Sequence, residues 1–252
     1  MKTIILGPPG TGKTTTLLNL VDEFIQQGIR PRQIGYFSFT KKAANEAATR
    51  AAEKFELDRD NDLENFRTLH SYAFKMLGMT KEKMMSNSDY KEFGEKCGIP
   101  IKTAKYSSDD GTFNSDNEYL TIINTARVKR MDLLEYYDSR RNILDIERGT
   151  LYLIAEELKR YKEEKGLHDF TDLLEKFIEK DIQPKFEVLF IDEAQDLSLL
   201  QWDMVRKIWK NANKTYIAGD DDQAIFKWAG ADVDHFIALK EEVDTIKTLD
   251  QS

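Results

Sequence analysis

The chain has 252 residues, of which 40% are hydrophobic and 33% are charged, a composition typical of a globular protein with one large or two modest domains. Its net charge of −8 weighs against a broad basic face that coats duplex nucleic acid, although it is compatible with a narrow groove that grips a few phosphates. One cysteine, three scattered histidines and the lack of any long apolar run exclude an internal disulfide, a histidine–cysteine metal cluster and a membrane partner, and they favour the cytoplasm of a bacterium or of a virus-infected cell.

The first third of the chain alternates short apolar segments with segments of helical periodicity. In chain order the pattern predicts a strand at 3–6 that enters a Gly/Pro turn at 7–10, a helix at 13–27, a strand at 33–39, an alanine-rich helix at 41–55 and a strand at 66–69. Buried strands that alternate with helices are typical of a parallel sheet, so we predict an α/β fold with helices flanking the sheet.

The middle of the chain, 79–165, departs from this alternation because it is rich in charge and in helical periodicity. Its polar, turn-forming stretch 107–118 predicts a mobile loop. The alternation then returns, with a helix at 169–179, a strand at 187–191, a helix at 199–210, a strand at 215–218 and an apparent last strand before Leu249. We therefore expect an α/β domain formed by 1–78 and 166–252, with a helical subdomain at 79–165 inserted into it.

The turn after the first predicted strand carries a phosphate-binding pattern. Its sequence, Gly7-Pro8-Pro9-Gly10-Thr11-Gly12-Lys13-Thr14, fits G-x-x-x-x-G-K-[ST] and stands between a strand and a helix. Glycines let backbone N–H groups turn toward phosphates, and the start of the following helix adds positive potential. Lys13 would supply a charge to the outer phosphates and Thr14 a hydroxyl to Mg²⁺, whereas a simple Gly/Pro connection needs neither.

Two adjacent acids, Asp192 and Glu193, end the apolar segment Val188-Leu189-Phe190-Ile191. Carboxylates at the end of a buried strand are costly unless a cation or a reacting water uses them, although a solvated strand end is the simpler alternative. Because neighbouring strand residues point to opposite sides, we expect Asp192 to face Mg²⁺ and Glu193 to face the attacking water as general base.

A third polar segment follows the strand predicted at 215–218. It reads Gly219-Asp220-Asp221-Asp222-Gln223, and a glutamine just beyond a strand end can reach a γ-phosphate. Phe226 and Trp228 lie two positions apart, so an extended backbone would place both rings on one side. From these residues alone, core packing and a platform for stacked bases both stay open.

Six segments, in this order, resemble the motor domain of the UvrD/Rep-type superfamily 1 DNA helicases. They are the phosphate loop at 7–14, Phe39-Thr40-Lys41-Lys42-Ala43-Ala44, Thr68-Leu69-His70-Ser71, Asp169-Phe170-Thr171-Asp172-Leu173-Leu174, Asp192-Glu193-Ala194-Gln195-Asp196 and Gly219-Asp220-Asp221-Asp222-Gln223. The resemblance implies that the α/β part is a P-loop NTPase domain of RecA-like fold (motor domain 1A) and that the insert at 79–165 is its helical subdomain (1B). It also implies an ATP-dependent DNA helicase or translocase that uses ATP and Mg²⁺ and acts on single-stranded DNA, or on a junction with double-stranded DNA.

The resemblance also assigns roles to individual residues. The expected nucleotide-binding residues are Gly7, Pro8, Pro9, Gly10, Thr11, Gly12, Lys13, Thr14 and Thr15. Catalytic roles are expected for Lys13, Glu193 and Gln223, and Mg²⁺ binding for Thr14 and Asp192. The expected contacts with single-stranded DNA are Phe39, Thr40, His70, Phe226 and Trp228, of which Phe39 and Trp228 are the candidates for base stacking.

Three departures from the family pattern bear on what this chain does by itself. The phosphate loop begins at Gly7, which leaves no room for the family's upstream glutamine segment that reads adenine. The third motif has Phe226, Trp228 and Ala229 where the family often has tyrosine, tryptophan and arginine. Leu249-Asp250-Gln251-Ser252 resembles the opening of a motif that continues into an arginine on the γ-phosphate. We therefore expect a second RecA-like motor domain, in the same longer chain or in another one, and little activity without it.

Other functional classes share part of this pattern. A small-molecule or nucleotide kinase shares the phosphate loop, but a kinase needs an arginine-bearing lid over its second substrate and has no use for the two acidic motifs. A non-hydrolysing module that binds single-stranded DNA or regulates another protein would keep the fold without turnover. The basic residues of the insert form either a solvated helix face or a phosphate-contacting surface; they are Arg127, Lys129, Arg130, Arg140 and Arg141.

Overall fold

A computed structural model describes residues 1–180, 182–220 and 231–249. Its strands, in chain order, are β1 (Lys2–Leu6), β2 (Ile34–Ser38), β3 (Phe66–Arg67), β4 (Ala104–Tyr106), β5 (Phe113–Ser115), β6 (Phe186–Asp192), β7 (Ala212–Gly219) and β8 (Thr245–Thr248). Six of them form one sheet in the order β3-β2-β6-β7-β1-β8, and every pair in it is parallel. The predicted α/β fold with a parallel sheet is confirmed.

Helices cover both faces of this sheet and also build the insert. Their bounds are α1 (Lys13–Gln26), α2 (Lys41–Phe55), α3 (Leu69–Met76), α4 (Asn87–Cys97), α5 (Glu118–Val128), α6 (Leu133–Arg140), α7 (Arg148–Lys165), α8 (Phe170–Glu179), α9 (Leu199–Trp209) and α10 (Val233–Ala238). None of the helices in the described part of the chain is long and apolar enough to cross a bilayer.

The two sides of the sheet carry separate hydrophobic cores because successive strand residues point to opposite faces. On β2, Tyr36 belongs to the core under α1 and α2, whereas its neighbour Phe37 belongs to the core under α3, α8 and α9. On β6, Phe190 lies on the first side and Ile191 on the second. Asp192, which ends β6, is fully buried, so this strand delivers a carboxylate into an apolar setting.

Polar side chains at the helix starts explain why several helices begin where they do. Thr40, Thr68 and Ser198 each accept a hydrogen bond from a backbone N–H three residues further on, at the starts of α2, α3 and α9. Such caps satisfy N–H groups that have no partner inside the helix. The helices predicted at 41–55, 169–179 and 199–210 are confirmed to within one residue.

A third hydrophobic core lies within residues 85–167 and is built by α4, α5, α6 and α7. Its large buried side chains include Tyr90, Phe93 and Tyr161, which share no cluster with the residues that pack on the sheet. This separate core supports a helical insert, and the exact boundaries at 78 and 165 stay a prediction.

The strand predicted at 66–69 is wrong at its end. β3 stops at Arg67, and Thr68 then caps a helix that begins at Leu69. The physical reason is that the Thr68 hydroxyl accepts the N–H of Ser71 at 3.2 Å, which favours a helix start over a continued strand.

The stretch predicted as a mobile loop, 107–118, contains regular structure, and its mobility stays a prediction. β4 and β5 pair antiparallel and form a hairpin, and the polar residues 107–112 make its turn. Ser107 N–H donates to the Thr112 carbonyl at 2.8 Å, and the rings of Tyr106 and Phe113 pack with centroids 4.8 Å apart. The turn-forming composition therefore marks a hairpin turn, which we call the hairpin tip (107–112).

Candidate active site

The loop after β1 has the backbone geometry that a phosphate cradle needs. Gly10 and Gly12 both have φ of +81°, a conformation that residues with a side chain rarely adopt. At Gly7 the constraint is space, since an added Cβ would lie 2.5 Å from the Thr11 hydroxyl and 3.0 Å from the Leu249 carbonyl. Space at Gly7 and the backbone angle at Gly12 explain the two glycines of the pattern, and Gly10 adds a third that its backbone angle favours.

Lys13 opens α1 directly behind this loop and is buried. Its ammonium donates to the carbonyl oxygens of Gly7 at 2.6 Å and Pro8 at 3.1 Å, so the charge lies against the backbone of the loop. An anion bound by the loop would therefore lie next to the Lys13 ammonium. Of the other predicted loop residues, Thr11 donates its hydroxyl to the Pro8 carbonyl at 2.8 Å, while Pro9 and Thr15 are exposed.

The hydroxyl of Thr14 donates to the Asp192 carboxylate at 3.0 Å, although 178 residues separate them in the chain. Strand order is the cause: β1 and β6 both pair with β7, so their carboxyl ends lie on the same edge of the sheet. The phosphate loop and the first acid therefore face each other in one site.

Asp192 has three hydrogen-bond donors around its buried carboxylate. Oδ2 accepts from Thr14 and from the Tyr36 hydroxyl at 2.8 Å, and Oδ1 accepts from the Glu193 backbone N–H at 3.0 Å. Burial raises the pKa of Asp192, and the hydrogen bond from Tyr36 opposes this shift. Burial also raises the pKa of Tyr36 well above its usual range, with the Asp192 charge adding to the effect.

Glu193 differs from the expected arrangement of a strand residue. β6 ends at Asp192, and Glu193 takes a left-handed backbone with φ of 54°. A turn of the backbone, not the alternation of a strand, therefore separates the two acids. The Glu193 carboxylate accepts from the side-chain amide N–H of Gln195 at 2.8 Å, and the side-chain oxygen Oε1 of Gln195 accepts the Asp220 backbone N–H at 3.1 Å.

These residues fit a magnesium-bound triphosphate chemically. A threonine hydroxyl and a carboxylate are oxygen ligands of the kind that Mg²⁺ prefers, and they meet beside a glycine loop with a lysine. The residues that would hold the cation are Thr14 and Asp192, and those that would hold phosphates are the loop backbone and Lys13. Gln223, Phe226 and Trp228 lie outside the described residues.

Two of the residues expected to contact DNA, one just after β2 and one on α3, are buried, and the hairpin tip contacts the second. Phe39 is 4% exposed and belongs to the core under α3, and His70 is 8% exposed. A Cβ on Gly111 of the tip would lie 2.6 Å from Nδ1 of His70. The cavity between these residues and the tip measures only about 30 Å³. In this conformation the ring of Phe39 is buried and is not presented to a base, so its stacking role stays a prediction.

The hairpin tip also occupies the start of α2, where Thr40 is the cap. Asp109 accepts the Lys41 N–H on its carbonyl at 2.8 Å and the Lys42 N–H on its carboxylate at 3.0 Å. Thr40 accepts the Ala43 N–H at 3.2 Å. The first N–H groups of this helix, a site that favours anions, are thus satisfied within the chain.

Sequence reasoning missed three parts of this site. Tyr36 has the pattern of an ordinary core residue, so nothing local marks its bond to Asp192. Gln195 was included in a motif segment but given no role, although it joins Glu193 to Asp220. The acidic turn at 107–112 is a detectable signal of a hairpin, but its contact with His70 depends on the fold.

The basic residues of the insert do not form one surface. Arg127 donates to Asp169 at 2.8 Å, to Asp172 at 2.5 Å and to Glu175 at 2.6 Å, so its charge is used between the insert and α8. Arg130 pairs with Asp203 at 2.8 Å. Arg127 is therefore occupied by three acids, whereas for Arg130 and the other basic residues of the insert a solvated face and a phosphate-contacting surface both stay open.

Known proteins similar in sequence to this chain are named as DNA helicases. A family model described as the UvrD/REP helicase N-terminal domain matches residues 1–244. DNA helicase II of Rickettsia typhi (strain ATCC VR-144 / Wilmington) is 29% identical over 254 residues, which cover 95% of this chain and 38% of the relative. ATP-dependent DNA helicase Rep of Escherichia coli (strain K12) is 24% identical over 258 residues, or 98% of this chain and 38% of the relative.

A third relative, the probable DNA helicase of Mycoplasma pneumoniae (strain ATCC 29342 / M129 / Subtype 1), is 26% identical over 268 residues, or 97% of this chain and 48% of the relative. The chain therefore spans less than half the length of the curated relatives it matches. These matches confirm the resemblance found in the six motif segments.

Proposed function

This chain belongs to the UvrD/REP helicase N-terminal domain family, and on that premise we propose that it is the ATP-binding first motor domain of an ATP-dependent DNA helicase or translocase that acts on single-stranded DNA. The observation that carries the proposal is the 3.0 Å contact between Thr14 and Asp192 beside the Lys13 loop. It joins the two elements that a magnesium-dependent nucleotide site needs.

Each residue of the site has a task in this proposal. Mg²⁺, when bound with ATP, supplies positive charge that offsets the charge developing on the phosphates. The loop backbone and Lys13 bind the phosphates, and Thr14 and Asp192 hold the cation. Glu193, half-buried and oriented by Gln195, accepts the proton of the attacking water. Gln223 is proposed to contact the γ-phosphate.

The proposal for DNA binding places the strand across the carboxyl edge of the sheet. Phe39, Thr40 and His70, together with Phe226 and Trp228, are the proposed contacts. Since the hairpin tip covers His70 and caps α2, the tip has to leave before a strand reaches these residues. The position of the hairpin described here is therefore the closed state of the proposed DNA site.

A second RecA-like motor domain completes the proposal. The chain covers less than half of two relatives, a probable DNA helicase and an ATP-dependent DNA helicase, which supports a further domain in a longer chain or in a partner chain. Such a domain would add the arginines that stabilise transferred phosphate and would close the site on ATP. The insert at 79–165 is proposed to act as subdomain 1B on the motor domain 1A.

Nucleotide binding tests the proposal directly. A fluorescent ATP analogue should bind the purified chain in the presence of Mg²⁺. Replacing Lys13 by alanine should weaken binding by about 10-fold or more, because a charge-assisted contact with phosphate is lost. Asp192→Asn should lower the affinity only when Mg²⁺ is present. Lys91→Ala, an exposed lysine on α4, serves as the matched control. Equal affinity of Lys13→Ala and the control would contradict the proposed nucleotide site.

A further inference from the structure

Tyr36 lies in the middle of β2, in register with Phe190 of β6, and its side chain is fully buried. Its ring stacks on Phe66 with centroids 5.5 Å apart and planes at 7°, and it packs against Phe190 at 6.0 Å. An apolar ring would fill this space equally well. The hydroxyl is therefore the feature of Tyr36 that packing alone does not require, since a buried phenol must find a hydrogen-bond partner.

The partner that the hydroxyl finds is Oδ2 of Asp192, at 2.8 Å. The same oxygen accepts from Thr14 at 3.0 Å, and the other oxygen accepts from the Glu193 N–H at 3.0 Å. Thr14 comes from the phosphate loop side and Glu193 is the next residue in the chain. Tyr36 alone of these three donors reaches Asp192 from a neighbouring strand, so it fixes the carboxylate to the rigid part of the sheet.

We propose that Tyr36 is a positioning residue for the magnesium site, in which its hydroxyl fixes the orientation of the Asp192 carboxylate. The proposal rests on the proposed function, because it assigns Tyr36 a part in the same nucleotide site. With Tyr36 and the Glu193 N–H in place, the plane of the carboxylate is set, and so are the lone pairs left to face Thr14 and the cation. Partners that orient a metal-binding carboxylate typically change metal affinity by about 10- to 100-fold when they are lost.

Tyr36→Phe is the test because it removes only the hydroxyl and retains the packing on Phe66 and Phe190. The chain is saturated with a fluorescent ATP analogue without Mg²⁺, and MgCl₂ is then titrated. For Tyr36→Phe we expect the Mg²⁺ concentration that gives half of the full response to Mg²⁺ to be about 10-fold or more higher than for the wild-type chain. Affinity for the analogue in EDTA should stay unchanged, because Lys13 and the loop do not touch Tyr36.

Tyr216→Phe is the matched control. Tyr216 lies in the same core and stacks on Phe190 at 5.4 Å, so its replacement also removes a hydroxyl from a ring that packs on the same phenylalanine. Thermal unfolding by circular dichroism reports whether each variant folds. A purely structural role for Tyr36 would lower the melting temperature and leave the Mg²⁺ titration as in the wild-type chain.

The outcomes separate this inference from the proposed function. If the wild-type chain responds to Mg²⁺, Asp192→Asn abolishes the response and Tyr36→Phe leaves it unchanged, the role of Tyr36 is overturned and the nucleotide site stands. If the wild-type chain binds no nucleotide, or Asp192→Asn has no effect on the Mg²⁺ response, the proposed function fails and the role of Tyr36 fails with it. A shift for Tyr36→Phe but not for Tyr216→Phe supports the inference.

Discussion

His70 is held in its neutral form by its surroundings. Burial lowers its pKa to about 4, and the charges of Asp110 and Asp169, which would raise it, do not compensate. An unfolded histidine has a pKa of about 6.5, so the unfolded chain binds more protons than the folded one between about pH 6.5 and pH 4. The free energy of unfolding is therefore not reduced by His70 above about pH 6.5, and it falls as the pH drops from about 6.5 to about 4.

Replacing His70 by asparagine should remove this part of the pH dependence. We expect the wild-type chain to lose up to about 3 kcal/mol more than His70→Asn does in its free energy of unfolding, on going from about pH 7 to about pH 4. Urea denaturation at several pH values measures both proteins. Comparison of the two cancels other groups, such as Asp196, whose pKa burial raises to about 7. Parallel pH profiles for the two proteins would contradict a buried neutral His70.

At the scale of elements, the β4–β5 hairpin decides whether the proposed DNA contacts are open. Gly111 has φ of +73° and lies against the His70 ring, so a side chain at this position is strained and also clashes. Gly111→Ala should therefore weaken the closed position of the tip. If closing costs DNA affinity, a closed state that is weaker by one or two kcal/mol gives about 5- to 30-fold tighter binding.

Fluorescence anisotropy with labelled oligo-dT measures this effect. Gly149→Ala is the matched control, since a Cβ there meets nothing within 4 Å. Unchanged or weaker binding by Gly111→Ala, in a protein that circular dichroism shows to be folded, would mean that the tip does not cover the DNA site.

The junction between the insert and α8 depends on a buried charge network. Arg127 and Lys162 meet Asp169 and Asp172, with nitrogen–oxygen distances of 2.5 to 2.8 Å. The charges of Arg127 and Lys162 hold the pKa of Asp169 well below its usual range despite burial, so Asp169 is ionised at neutral pH. Removing one member leaves an unpaired charge in a setting that solvates it poorly.

Arg127→Ala should lower the free energy of unfolding by about 3–5 kcal/mol. Arg148→Ala should cost far less, because Arg148 pairs with Asp138 at 3.1 Å where both side chains are half exposed and solvent screens the pair. Chemical denaturation at neutral pH compares the two variants. Similar losses for both would show that the buried network does not stabilise the junction.

At the scale of the whole molecule, one sheet edge gathers the loop after β1, the two acids at the end of β6 and Asp220 after β7. This edge forms one wall of the proposed site, and we attribute the opposite wall to a second motor domain. An arginine supplied by another domain is worth about 10³–10⁵ in the rate of phosphoryl transfer.

We therefore expect residues 1–252 alone to bind ATP but to hydrolyse it very slowly, with little stimulation by oligo-dT. A steady-state ATPase assay measures the rate, and Lys13→Ala gives the background. Robust turnover by the isolated chain would contradict the need for a second domain, and binding without any turnover even beside a second motor domain would favour the non-hydrolysing module.

Local patterns in the sequence were sufficient for the fold class and for the nucleotide loop. The glycines at 10 and 12 give the loop its positive φ angles locally, while at Gly7 the close approach of Leu249 adds a constraint from a distant segment. Hydrophobic periodicity likewise predicts the order of strands and helices, and that order predicts the parallel sheet. The pairing of Thr14 with Asp192 was predictable because the carboxyl ends of parallel strands share an edge.

Only the tertiary structure decided which side chains complete and cover this site. The bond between Tyr36 and Asp192 joins positions 156 residues apart, and Tyr36 by itself has the pattern of a core ring. The contact of Gly111 with His70 depends on where the insert packs on the sheet, and the same holds for the neutralisation of Arg127. Such contacts arise from packing between distant segments, which periodicity and local spacing do not encode.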